Sequence, residues 1–257
     1  KDLGEVAAKA GRQAGGGSEG LRRFGSESEA SARKVGAMAS ALNQAKVAFA
    51  AFGVVQVASG LVRMADQYAN ITGRLKLATE GQEAFAAAQA EVFAISQRTS
   101  TELESTATLY ARLAQSTTEY NISQQRQLAL TETINQTFAV SGANATATAN
   151  TITQFTQALA GGVLRAEEFN SIIENSPRLA KALADGMQIG MGQLRTEVNE
   201  GRVSVERLVA ALESQASVIQ AEFESMPLTV ERAMTQLRNS VTRFAGEASQ
   251  EFGASSA

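Results

Sequence analysis

The chain has 257 residues, with no Cys, His or Trp, 2 Pro, 21 Gly, and 23 basic against 26 acidic side chains. That inventory excludes a disulfide framework, thiolate or imidazole metal sites and every histidine-dependent triad. A formal charge of -3 gives no overall basic field for nucleic acid. Hydrophobic residues reach 44% and aromatics only 5%, and much of the former is Ala, which buries little surface per residue. The expectation is a thin core of close helix contacts, with no large core and no deep aromatic pocket.

Residues 1–26 read as a flexible linker around Gly15-Gly16-Gly17-Ser18-Glu19-Gly20. The run matches G-x-G-x-x-G by letter, but no strand precedes it, so a pyrophosphate cradle is not expected. Residues 27–70 read as one long helix. Val35, Met38, Leu42, Ala45, Phe49 and Phe52 recur at spacings of three and four, the heptad seam of a coiled coil. Beyond Gly53 the apolar residues spread around the helix, and residues 47–62 are uncharged between Lys46 and Arg63. Spanning a bilayer takes about 20 apolar residues. The expected cover is therefore protein, from this chain or other copies, with Gly53 and Gly60 on one face at a close helix–helix contact. Membrane insertion through residues 47–62 is the alternative. No positively charged start with a cleavage site is present, so no secretory leader is expected. Arg22, Arg23, Arg33, Lys34 and Lys46 are interleaved with acids and read as a solvated face.

Residues 71–227 read as a series of amphipathic helices. Phe85, Ala88, Val92 and Ile95 mark the first, ending near Arg98. Thr101-x-x-Glu104 has capping-box spacing for the next, whose stripe is Leu103, Ala107, Tyr110 and Ala114, with Leu113 beside it. Ser123 is placed to cap a third, bearing Leu130, Ile134 and Phe138 and stopped at Ser141-Gly142. A fourth runs from about Asn144 to Ala160, with only Ile152, Phe155 and Leu159 as large apolar residues.

Within 163–202 the helices shorten to about 165–175, 178–185 and 191–199, with Pro177 where a first turn tolerates it. This compact knot is expected to share a core of Leu164, Phe169, Ile172, Ile173, Leu179 and Leu183. Ser204 then caps a helix carrying Leu208, Leu212, Ala216, Ile219 and Phe223. Pro227 interrupts. Residues 228–257 form a final helix in which Val230, Met234, Leu237, Val241, Phe244 and Ala248 repeat the heptad spacing. That seam is expected to pair with the first one or with copies of itself. No alternating strand pattern is present. The fold class is all-α: long heptad-bearing helices flanking a multi-helix globular unit.

Chemistry is sparse. Glu167, Glu168 and Glu174 cluster, with Asp185 later, but a glycosidase cleft usually carries aromatic platforms and this chain has few. Glu167 and Glu168 suit the positive end of a helix; a helical peptidoglycan hydrolase using either is the enzyme alternative. Ser31-x-x-Lys34 lacks the companion motifs of Ser-Lys enzymes. Asn144-Ala145-Thr146 is a sequon without evidence of secretion. No phosphate loop or calcium loop occurs. No catalytic residue, cofactor site or metal site is expected.

Several blocks share a pattern: Gly73-Arg74-Leu75-Lys76-Leu77; Leu109-Tyr110-Ala111-Arg112-Leu113-Ala114; residues 157–174, from Gln157-Ala158-Leu159 to Ile172-Ile173-Glu174; Pro177 through Gly186; and Met226-Pro227-Leu228-Thr229. Through them residues 65–245 resemble the N-terminal region of bacteriophage tail tape measure proteins. Ala166 stands where that family usually has Gly before two acids, and residues 1–64 match only in style. The resemblance implies a structural protein of the virion that sets tail length as the tail tube polymerises around it. It implies residence in the tail lumen after assembly in the host bacterial cytoplasm, and release at infection. It also implies tail tube, tail tip or terminator proteins, tail assembly chaperones and further copies of the chain (a homo-oligomer) as partners. Host membrane contact would come through later segments, with no specific nucleic acid.

Overall fold

Local signals open and close most of the helices. The computed structural model describes the backbone of residues 54–254 and the side chains of residues 60–250. The expected linker at 1–26 and the seam residues Val35, Met38, Leu42, Phe49 and Phe52, together with Gly53, lie outside the described residues. Those described form α1 (Val54–Leu77), α2 (Gly81–Thr99), α3 (Leu103–Ser116), a 3-10 turn (Thr118–Tyr120), α4 (Gln124–Ser141), α5 (Ala145–Ala160), α6 (Ala166–Asn175), α7 (Pro177–Gly186), α8 (Met191–Asn199), α9 (Val205–Glu224) and α10 (Val230–Ala254). No strand occurs among the described residues, and the all-α expectation holds.

Ser123 Oγ accepts from the Arg126 N–H, Asn144 Oδ1 from Ala147 and Ser204 Oγ from Arg207, each answering one of the free donors of a first turn. Gly142 closes α4 at φ 64°, a conformation that costs a Cβ-free residue little. Pro177 opens α7. The Glu168 carboxylate accepts from the Arg165 N–H at 2.8 Å, so one of the clustered acids is a helix cap.

The expected capping box at Thr101 and Glu104 does not form. Ser100 takes a left-handed conformation (φ 55°) at the end of α2, and the Thr101 hydroxyl pairs with that of Thr99 at 2.9 Å. Glu104 turns outward to Gln67 and Arg74. The free N–H of Leu103 is answered from α10, as described below.

One boundary also differs. The helix expected to end near Asn70 runs unbroken to Leu77, because Tyr68, Ile71 and Leu75 continue one buried stripe against α2 and α3. The last helix flanks the globular unit by packing on it, and Leu61–Ala257 forms one compact unit.

The interior is larger than the Ala-rich composition suggests. A smaller cluster joins Tyr68, Ile71 and Leu75 of α1 to Ala88 and Val92 of α2 and to Ala107, Tyr110 and Ala114 of α3. A larger one joins the other face of α3, Leu109 and Leu113, to α4 through α9. α3 is thus a wall between two cores, which explains why its apolar residues cover more than one stripe. The α5–α6 and α8–α9 connections are tied together where Leu164 N–H donates to Val203 and Val205 N–H to Gly162. α7 crosses α9 so closely that a Cβ on Gly186 would lie 2.7 Å from Ala211 Cα, so only Gly permits that approach.

Candidate interaction surface

α10 meets the rest of its unit through an unusual choice of residues. Gln236 and Gln97 exchange amide donors: Gln97 Nε2 donates to the Gln236 carbonyl and Gln236 Nε2 to the Gln97 carbonyl, both at 3.0 Å. The same two amides reach Ser240 and Ser100. Asn239, 3% exposed, accepts from the Leu103 N–H at 2.9 Å and donates to the Thr101 carbonyl at 2.8 Å. The Arg243 guanidinium lies 4.5 Å from the centre of the Phe93 ring. Gly246 lets the backbone of α10 press on Tyr68, where any Cβ would collide with the ring. Positions 236, 239, 243 and 246 recur at spacings of three and four, so they form one face.

The heptad seam occupies the opposite face. At about 100° per residue, Leu237 and Val241 lie roughly 160° from Asn239 on either side. Val230 is 82% exposed, Met234 54%, Leu237 47% and Phe244 50%, with Val241 half-buried. An amphipathic helix usually turns its apolar stripe to the core. Here the polar face is docked and the apolar stripe is outside.

The other residues singled out from the sequence fall as follows. Leu164, Phe169, Ile172, Leu179 and Leu183 are buried in the larger cluster, and Ile173 packs partly buried against it. A Cβ on Gly60 would meet nothing within 4 Å among the described residues. The close glycine contacts found are at Gly186 and Gly246, which periodicity does not single out. Gln236, Asn239 and Gly246 do share a helical face in the sequence, and that spacing is the only signal of the docked side. Polar and small residues opposite an apolar stripe have the pattern of a solvated face, so the spacing alone does not mark them as buried.

Among the described residues the clustered acids stand in structural roles, Glu168 as a helix cap and Asp185 in an ion pair. Asp185 pairs with Lys181 at 2.7 Å. Among the described residues no three metal-binding side chains cluster. A shallow cleft of about 270 Å³ between α3 and α5 is lined by Arg112, Ser116, Thr153 and Gln157, and Arg112 already donates to Thr153. Burial pushes the Tyr110 phenol up to about 12, and burial followed by the nearby Glu247 raises that of Tyr68. Hydrogen bonding from Arg207 holds the Glu197 carboxyl below its ordinary range. Each shift has a structural cause. No helix among the described residues is long and apolar enough to cross a membrane.

Residues 59–250 match the family model described as tape measure protein. The chain belongs to the tape measure protein family. The match takes in the two core clusters, the short-helix knot and α10 to within a turn of its end. As a tape measure family member the chain is an all-helical structural component of a phage tail. No curated protein and no solved structure is significantly similar to it.

Proposed function

We propose that this chain sets tail length, scaffolding the tail tube as it polymerises and staying in the tube lumen until ejection. The observation that carries this reading is the family match over residues 59–250. The folded unit at Leu61–Ala257 is not itself a long ruler: its longest helix has 25 residues, about 38 Å at the α-helical rise. It acts as a folded element on the ruler that tail tube, tail tip or terminator proteins meet, and the role is non-catalytic. Tail assembly chaperones keep the chain soluble before assembly, since an uncovered apolar stripe is an aggregation hazard. Several copies occupy one tube.

The test is tail length. Tails are assembled with labelled chains in which whole heptads within residues 27–52 are deleted or duplicated, and tube lengths are measured by electron microscopy. Tubes should shorten with deletion and lengthen with duplication, in proportion to the number of residues changed. Unchanged tube length overturns the ruler role, and label found outside the tube wall overturns lumenal placement.

A further inference from the structure

We propose that α10 is a latch: it comes away from the unit on its own, turning on residues 225–229 while α1 to α9 stay folded, and its release uncaps α3. The apolar clusters lead there first. Neither contains a residue of α10, so neither loses a member when the helix leaves. The stripe that α10 turns inward is Arg232, Thr235, Asn239, Thr242 and Gly246, at spacings of three and four. None is a large apolar side chain, so docking takes little apolar surface of this helix out of water.

What holds α10 is polar. The exchanged amides of Gln97 and Gln236, the two bonds of Asn239 at the start of α3 and the Arg243 guanidinium over the Phe93 ring all have replacements in water. Such bonds leave a small net stabilisation once water competes for their partners. The Arg238–Glu102 pair, at 3.5 Å, is exposed on both sides and adds little. A segment with few buried apolar contacts opens at a lower free energy than the cores beside it.

The connection is suited to turning. Ser225, Pro227, Leu228 and Thr229 are exposed. Its bonds are local: the Met226 N–H donates to the Phe223 carbonyl, the Arg232 N–H to the Thr229 hydroxyl and the Arg232 guanidinium to the Pro227 carbonyl. Each travels with α9 or with α10, so swinging α10 outward breaks none of them. The contact of Arg232 with the Phe223 ring lies at the pivot itself.

Release is felt at a distance. Leu103 is the first residue of α3, and its N–H has no partner within that helix. Asn239 supplies the acceptor. Opening the latch therefore frees the first turn of α3, and by reciprocity whatever reshapes that turn loosens α10.

The inference goes beyond the tape measure reading and does not depend on it. The sequence has no Cys, so one introduced thiol reports one site. Thiol labelling of the full chain without denaturant compares Thr242→Cys in α10 with Val209→Cys in α9, each position 3% exposed. Thr242→Cys should label at least about a hundredfold faster. Ile172→Val, in the larger cluster, should speed Val209→Cys labelling about fivefold and leave Thr242→Cys within about twofold. Gly246→Ala should speed Thr242→Cys labelling about tenfold. Ala245→Cys replaces Thr242→Cys if that variant melts early. Hydrogen exchange at the Leu103 N–H should report the same opening as the α10 thiol. Equal labelling at the two sites, or an Ile172→Val effect of the same size on both, means that α10 leaves only with the whole unit and overturns the latch. Leu103 exchange that follows Val209→Cys labelling instead overturns the link to α3.

Discussion

The amide side chain of Asn239 caps a helix that begins 136 residues before it: its Oδ1 accepts the Leu103 N–H at 2.9 Å while its Nδ2 donates to the Thr101 carbonyl. The first turn of α3 has donors with no partner inside the helix. Its own flanking residue Glu102 makes no side-chain cap. The cap comes from α10, so the start of α3 and the docking of α10 are one event.

Asn239→Ala should therefore destabilise the unit by about 1–2 kcal/mol, the range for a lost helix cap and for a buried donor left without an acceptor. Hydrogen exchange should rise along α10 and at Leu103, with the larger core cluster little affected. Unchanged protection in α10 would show that the cap does not hold the helix.

Gly246 and Gly60 should respond in opposite directions. Gly246→Ala drives a Cβ into the Tyr68 ring and should cost about 1–3 kcal/mol by overfilling, releasing α10. Gly60→Ala meets no obstacle within 4 Å and should gain up to about 1 kcal/mol of helix propensity. Thermal melts of the two variants check both signs.

Phe169 is buried at the centre of the short-helix knot, between α6 and the helices around it. Phe169→Ala should cost about 3–5 kcal/mol. A denaturant midpoint that does not move would remove Phe169 from the core.

Alkaline pH should weaken the fold through Tyr110. Its phenol is buried and holds its proton to about 12, against 10.0 for an exposed tyrosine. The unfolded chain therefore loses the proton first. The stabilisation is complete below pH 10 and falls away between pH 10 and 12, by about 2–3 kcal/mol. Tyr110→Phe should flatten that part of the stability profile. Tyr68, also raised, leaves a residual slope. A profile identical in parent and Tyr110→Phe would assign the alkaline loss elsewhere.

Helices with caps drawn from their own chain neighbours are legible from the sequence. Ser123, Asn144, Ser204 and Gly142 act within three or four residues, and Pro177 acts on its own turn. Leu164, Phe169, Ile172, Leu179 and Leu183 group by spacing because short helices on either side of a proline have few ways to bury them. The Thr101 and Glu104 spacing misleads because a capping box also needs the backbone to arrive at the right angle. The left-handed turn at Ser100 sends it elsewhere.

By itself the sequence determined that the described chain is helical, where most of its helices start and stop, and which residues of α10 share a face. Those properties depend on interactions within a turn or two. Only the tertiary structure decided which face of α10 turns inward. Periodicity states that Val230, Met234, Leu237, Val241 and Phe244 lie together, but not what lies against them. On the opposite face a reciprocal glutamine pair, an asparagine cap and a glycine pressed on Tyr68 reach groups well over a hundred residues away. Their hydrogen bonds satisfy buried polar groups that would otherwise be costly. The helix therefore docks by its polar side and leaves its apolar side outward.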